Sequence, residues 1–137
     1  MYNSRISGLG MYVPENIVSN DDLSKIMDTS NEWIIERTGI HERRHIKEGD
    51  GNSTVVMGVK AAKIAIERAG IDKDDIDLIL FATLSPDYYF PGSGVLAQEK
   101  LDIPTCPAMD IRNQCSGFIY AISTADQFIK SGMYKNI

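Results

Sequence analysis

Asp110-Ile111-Arg112-Asn113-Gln114-Cys115-Ser116-Gly117-Phe118 joins a short apolar run, Pro107 to Ile111, to an amphipathic stretch, and a cysteine stands at the junction. From Phe118 the apolar residues Ile122, Ala125 and Ile129 recur at helical spacing, and Gly132 suits a helix C-cap. The stretch predicts strand, turn and helix, with Cys115 at the turn. A thiol at a helix N-terminus faces unpaired N–H groups and the positive end of the macrodipole, which favour thiolate over thiol. A lone cysteine reads equally well as a buried structural thiol, and both readings stand at this point.

Upstream, Ile76 to Thr83 is a near-continuous apolar run of strand length, as expected for a parallel strand covered on both faces by helices. From Ser53 a helical pattern puts Met57, Ala61, Ile64, Ala65 and Ala69 on the buried side and ends at Gly70. Gly92 to Leu101 reads as a short helix, and Cys106 as a small core residue. The loop Ser85-Pro86-Asp87-Tyr88-Tyr89-Phe90-Pro91 sets three aromatics between prolines. It either plugs its own core or forms an apolar wall for a substrate or partner.

Before Ser53 the signals are shorter. Ile6, Leu9, Met11 and Val13 alternate loosely and predict a strand over Arg5 to Val13. Asn20 is the expected cap of a helix with Leu23, Ile26 and Met27 on one face. Ser30 and Gly39 bracket about two helical turns, on which Trp33 and Arg37 stand i and i+4, hence on one face. Such a pair could hold a flat ring between indole and guanidinium, or simply stack on itself by cation–π attraction. His41 and His45 also stand i and i+4, but no third ligand is nearby, and both read as solvated.

A 137-residue chain, 43% hydrophobic and 24% charged, suits one compact α/β domain. The strand–helix alternation places Cys115 at the carboxyl edge of the sheet, where open α/β sheets hold their chemistry. A net charge of -5 with scattered cations argues against a nucleic-acid surface. No apolar run approaches the roughly 20 residues of a membrane span. Met1 to Arg5 lacks the apolar core of a signal peptide, so a cytoplasmic protein is expected. Two cysteines supply neither a disulfide framework nor a zinc set, and no metal is expected.

Several blocks resemble a known family. They are Ile6-Ser7-Gly8-Leu9-Gly10-Met11-Tyr12-Val13-Pro14-Glu15, Asp28-Thr29-Ser30-Asn31-Glu32-Trp33-Ile34 with Arg37-Thr38-Gly39-Ile40, Cys115-Ser116-Gly117-Phe118 and Ala125 to Gly132. They are similar, collinearly and across nearly the whole chain, to β-ketoacyl-acyl carrier protein synthase III. The resemblance implies a thiolase-like fold, in which two similar α/β halves form an αβαβα sandwich, and a homodimer. It implies an enzyme that joins an acyl-CoA primer to malonyl-acyl carrier protein by decarboxylative Claisen condensation, the step that starts fatty-acid synthesis.

On the matching positions, Cys115 is the expected nucleophile, and its backbone N–H part of the oxyanion hole. Trp33 and Arg37 are expected to sandwich the CoA adenine, with Thr29 touching the same base. Phe90 is expected to reach into the acyl pocket of a second protomer. Acyl-CoA enters as substrate, and no cofactor is implied. The chain departs from the family at Asn113-Gln114, where many members carry alanines, and at Tyr88-Tyr89, which enlarge the aromatic loop. A specialised relative loading starter units in secondary metabolism is therefore a second reading.

The family's His and Asn for decarboxylation lie in a second half, and no histidine follows Cys115 here. Residues 1–137 are accordingly expected to be the N-terminal portion of a condensing-enzyme domain, lacking the C-terminal half. A non-catalytic association module is the reading from another class. A cysteine hydrolase, which needs a downstream histidine, ranks last.

Overall fold

Hydrogen-bonding side chains at the element ends set the architecture of this chain. The computed structural model describes residues 2–103 and 106–137. They form two compact units, Val13–Asn52 on the one hand and Met1–Tyr12 with Ser53–Ile137 on the other. Among the described residues no helix is long and apolar enough to cross a membrane.

The smaller unit contains strand β1 (Ile17–Ser19), helix α1 (Asn20–Ser24), helix α2 (Asn31–Thr38) and strand β2 (Glu42–Arg44). The strands pair antiparallel, Ile17 opposite Arg44 and Ser19 opposite Glu42. The cap of α1 is Ser19 rather than Asn20. Ser19 Oγ accepts the Asp22 N–H at 3.1 Å while Asp22 Oδ2 accepts the Ser19 N–H at 3.0 Å, a reciprocal capping box. Asn20 is instead the first helical residue and only 1% exposed. Its Nδ2 donates to Asn31 Oδ1 at 3.1 Å and to the Ile40 carbonyl at 2.8 Å. Its Oδ1 accepts from Arg43 Nη2 at 2.6 Å, so one buried amide ties both helices' ends to β2. The expected apolar face of α1 does not form, because Ile26 and Met27 lie past its end and are exposed.

Helix α2 has the expected bounds. Ser30 Oγ accepts the Trp33 N–H at 3.1 Å, and Gly39, at φ 69°, supplies the left-handed turn that returns its N–H to the Ile35 carbonyl.

The larger unit contains helix α3 (Thr54–Ala69), a 3₁₀ turn (Lys73–Asp75), strand β3 (Ile79–Ala82), helix α4 (Ser93–Leu101), strand β4 (Ala108–Ile111) and helix α5 (Gly117–Ser131). Strands β3 and β4 pair in parallel, Ile79 opposite Ala108 and Ala82 opposite Ile111. Alternation along β3 turns Ile79 and Phe81 into the core cluster of Val55, Val59, Ala97, Leu101, Ile103 and Cys106, with α3 and α4. Ala82 faces Gly117 at the start of α5. Helices thus cover both faces of the pair, as the continuous apolar run predicts. Burying each of these valine and leucine side chains contributes roughly 1.5–3 kcal/mol.

Three sequence expectations change here. Arg5 to Val13 is not a strand, since a strand exists only through a ladder and this segment has none among the described residues. It runs instead against α3. A Cβ at Gly8 would stand 2.1 Å from the Ala65 carbonyl oxygen, and one at Gly10 1.9 Å from that of Ala61, so glycine alone permits the approach.

The alanine face of α3 meets this segment, whereas the deeply buried positions are Val55 and Val59, nearly opposite Met57 around the helix. Helix α5 likewise buries Gly117 and Ala121 and leaves Phe118 64% exposed. In α5 the small residues lie deepest, whereas in α3 the two valines do and the alanines pack against the Gly8–Gly10 segment.

The caps of α3 and α4 come partly from distant residues. Ser53 Oγ accepts the Val56 N–H at 3.2 Å, and Asp87 accepts from Ser53 Oγ (2.6 Å), the Thr54 N–H (2.8 Å) and the Val55 N–H (3.1 Å). The N-cap of α4 is Gly92, which has no capping side chain, and Asp110 of β4 accepts the Ser93 and Gly94 N–H groups, each at 2.7 Å. At the far end of the unit, Asp77 accepts the N–H groups of Lys135 (2.8 Å) and Asn136 (3.0 Å), and these hold its carboxyl below the usual carboxylate value.

Burial pushes the Asp87 carboxyl up, but the bonds from Ser53, Val55 and Thr54 outweigh it and leave its pKa lowered. The native state therefore binds fewer protons than the unfolded chain. The stabilisation is complete above the unfolded value of about 3.9 and is lost as pH falls through the lower native value. Asp87→Ala should cost about 1–2 kcal/mol in urea unfolding at pH 7. That gap should narrow below about pH 4; a gap independent of pH would show that the carboxylate charge is not what caps the helix.

Candidate functional site

The turn between β4 and α5 is built by short-range bonds. Asn113 Oδ1 accepts the Gln114 N–H at 3.1 Å, Asn113 Nδ2 donates to Ser116 Oγ at 3.3 Å, and the Gly117 N–H donates to the Gln114 carbonyl at 3.1 Å. Cys115 stands in that turn, just before the N-cap Ser116, as the sequence predicts. Its thiol is exposed, whereas the Cys106 thiol is buried and its pKa is raised, first by burial and then by the charge of Asp77. This removes the structural-thiol reading for Cys115 and keeps it for Cys106. No described residue accepts a hydrogen bond from the Cys115 N–H.

Cys115 opens onto a depression of about 510 Å³, lined also by Ala82, Thr83, Leu84, Asn113, Gln114 and Phe118. The Thr83 N–H donates to the Ile111 carbonyl at 3.2 Å, so the depression lies at the carboxyl ends of β3 and β4. Sequence reasoning missed three of these residues. Thr83 and Leu84 follow a parallel strand directly, and the carboxyl-edge rule that selects Cys115 selects them too. Phe118 is assigned by periodicity to the buried stripe, but it flanks the thiol instead.

The aromatic loop does not plug a core, since Phe90 is 90% exposed and Tyr88 and Tyr89 are exposed with it. Arg112 holds it: the guanidinium carbon lies 5.3 Å from the Tyr89 ring centroid, and Nη2 donates to the Tyr89 carbonyl at 3.1 Å. Nothing in the local sequence pattern pairs these two residues.

Thr29, Trp33 and Arg37 belong to the smaller unit, and Cys115 and Phe90 to the larger. The Arg37 guanidinium carbon lies 4.9 Å from the Trp33 ring centroid, so the two stack directly. Trp33 remains 53% exposed. A flat ring between them needs about 7 Å, two van der Waals gaps of about 3.5 Å, so the pair is closed and would have to open. Thr29 Oγ1 is buried without a hydrogen-bond partner among the described residues. His41 and His45 are exposed on the flanks of β2.

A family model described as 3-oxoacyl-[acyl-carrier-protein (ACP)] synthase III matches residues 109–137, from β4 through α5. The β-ketoacyl-[acyl-carrier-protein] synthase III 1 of Vibrio vulnificus (strain YJ016) is 55% identical over 135 residues, 98% of this chain and 42% of that protein. The β-ketoacyl-[acyl-carrier-protein] synthase III of Aliivibrio fischeri is 53% identical over 134 residues, again 98% and 42%.

Among solved structures, 3-oxoacyl-[acyl-carrier-protein] synthase III from Aquifex aeolicus VF5 superposes with a TM-score of 0.91 at 47% identity, over 96% of this chain and 42% of that one. The priming β-ketosynthase of the R1128 polyketide biosynthetic pathway superposes with a TM-score of 0.90 at 34% identity, over 96% and 39%. The chain thus spans less than half the length of the curated relatives it matches. In sequence and in its thiolase-like α/β fold, it corresponds to the N-terminal part of those proteins.

The two thiols should separate chemically. Iodoacetamide on the native protein should add one label, at Cys115, and a second at Cys106 only in denaturant. Equal labelling of both thiols in the native state, read by peptide mass, would contradict the assigned burial.

Proposed function

We propose that this chain, matching the N-terminal part of β-ketoacyl-[acyl-carrier-protein] synthase III, supplies the acyl-accepting machinery of a decarboxylative Claisen condensation. The observation that carries the reading is an exposed thiol at the carboxyl edge of a parallel strand pair, beside an open depression and inside the Cys115-Ser116-Gly117-Phe118 motif. Cys115 Sγ attacks the thioester carbonyl of an acyl-CoA primer. The tetrahedral oxyanion takes a hydrogen bond from the Cys115 N–H, which no described residue engages. Collapse of the intermediate expels CoA as its thiol and leaves the acyl group on Sγ. Condensation then joins the acyl carbonyl to the carbanion left by malonyl-acyl carrier protein on loss of carbon dioxide, and Sγ departs. The resemblance assigns that decarboxylation to a His and an Asn of the family's second half, so the role of this chain is to accept and hold the primer.

Trp33 and Arg37 would take the CoA adenine by opening their stack, a step that costs a cation–π contact of about 0.5–1 kcal/mol at an exposed site and returns two stacking faces. The Thr29 hydroxyl, buried without a partner among the described residues, would have to be uncovered to bond the same base. Phe90, exposed in the aromatic loop, would complete the acyl pocket of a second protomer in a homodimer. A starter-unit enzyme of secondary metabolism is the second reading, favoured by the likeness to the R1128 priming β-ketosynthase and by the enlarged aromatic loop.

Incubation of the full-length protein with acetyl-CoA should give an acetyl adduct by intact mass, absent in Cys115→Ala. No adduct on the wild-type protein would sink the synthase reading and leave an association module. Trp33→Ala should weaken CoA binding about threefold to tenfold, the range of one lost aromatic contact; unchanged affinity by calorimetry would remove the adenine role.

A further inference from the structure

Asn113 is half-buried in the angle between the end of β4 and the start of α5, its Cβ 3.7 Å from where a Cβ on Gly117 would stand. Both polar atoms of its amide engage residues that flank the thiol. Oδ1 accepts the Gln114 N–H at 3.1 Å and Nδ2 donates to Ser116 Oγ at 3.3 Å, so one side chain straddles Cys115. The peptide unit joining Gln114 to Cys115 is held at its other end as well, because the Gly117 N–H donates to the Gln114 carbonyl at 3.1 Å. In a planar trans peptide the N–H lies opposite the carbonyl. The Cys115 N–H therefore points away from Gly117, and no described residue accepts from it.

The hydroxyl of Ser116 is diverted by the same clasp. At the starts of α1, α2 and α3, Ser19, Ser30 and Ser53 have extended backbones, and each accepts an N–H of its own first turn. Ser116 holds the equivalent place before α5, but at φ -100° and ψ 2° it makes no cap bond. Its Oγ meets Asn113 instead.

We infer that Asn113 is a positioning residue for acyl transfer: by clasping Gln114 and Ser116 it keeps the Cys115 N–H turned outward as the donor to the oxyanion. The inference rests on the reading of Cys115 as the acyl acceptor. Asn113 touches no reacting atom. When Sγ bonds to a thioester carbonyl carbon, the π pair moves onto oxygen, and a donor already fixed in direction stabilises that charge without reorganising. Alkylation by iodoacetamide forms an S–C bond and expels iodide, with no oxyanion, so it reports the access and reactivity of the thiol alone.

The test uses the full-length protein and reads two rates at Cys115 by peptide mass, acetylation at saturating acetyl-CoA and alkylation by iodoacetamide. Asn113→Ala should lower the ratio of acetylation to alkylation about threefold to tenfold, the scale of one neutral hydrogen bond. Ser116→Ala, at an exposed position, should lower it in the same direction, and the double variant should match Asn113→Ala, since both changes open one clasp. A ratio unchanged or raised in either single variant, whether or not the two rates fall together, would overturn the inference and leave the acyl-accepting role intact. Single effects that multiply in the double variant would do the same. If Asn113→Ala does not fold, the ratio in Ser116→Ala decides alone.

If the wild-type protein takes no acetyl group from acetyl-CoA, the acyl-acceptor reading fails on its own. p-Nitrophenyl acetate then replaces acetyl-CoA, since its carbonyl forms an oxyanion without needing a CoA site. The same pattern across the variants supports the positioning role, and equal ratios, or no acetyl transfer to Cys115, overturn it.

Discussion

Two backbone N–H groups at the start of α4 have no partner within their own helix, and the carboxylate of Asp110 takes both. The bond joins a strand interior to a helix terminus. The other contacts of the larger unit follow from it: β4 is held beside β3, α4 lies over the Val55–Val59 face of α3, and the turn carrying Cys115 leaves the sheet at a fixed point. Asp87 does the same for α3, and Asp77 for residues 135–136. Three aspartates therefore pin successive parts of one unit, and each satisfies main-chain donors that would otherwise compete for water. In the smaller unit the buried amide of Asn20 has the equivalent place, serving as donor and acceptor at once.

Short-range features were legible in the sequence. Ser30 with Gly39 bounds α2, Ser53 with Gly70 bounds α3, and Gly132 ends α5, because capping chemistry is decided within four or five residues. Parallel pairing within the Ile76–Thr83 run was legible from its near-continuous hydrophobicity. Features decided at long range were not. The carboxylates of Asp87 and Asp110 cap helices many residues away, and no local pattern announces them. The segment Arg5 to Val13 has strand-like alternation, yet a strand also needs a ladder. Periodicity found α3 and α5 but set Met57 and Phe118 on the inner stripes, whereas Val55 and Val59 lie deepest in α3 and Gly117 and Ala121 in α5.

The candidate site divides in the same way. Cys115 was legible because a strand–turn–helix junction is a local event, and the family resemblance sharpened it. Phe118, Thr83 and Leu84 beside it depend on how β3 and α5 meet. The Arg112–Tyr89 contact depends on two chain segments 23 residues apart. The contrast between the two thiols has a plain physical origin. Cys106 is packed into the core of Val55, Val59, Ala97 and Leu101, and Cys115 stands on a turn whose bonds are made by its neighbours, not by itself.

Trp33 is the only tryptophan in the chain, and it sits half in solvent with a guanidinium over its face. Within residues 1–137, indole absorption and emission therefore report on one surface alone. A change in the distance between that ring and Arg37 alters the local field at the chromophore, with no second indole to dilute the signal. The molecule carries its own optical probe on α2, so the opening and closing of this pair can be followed in solution without attaching a label.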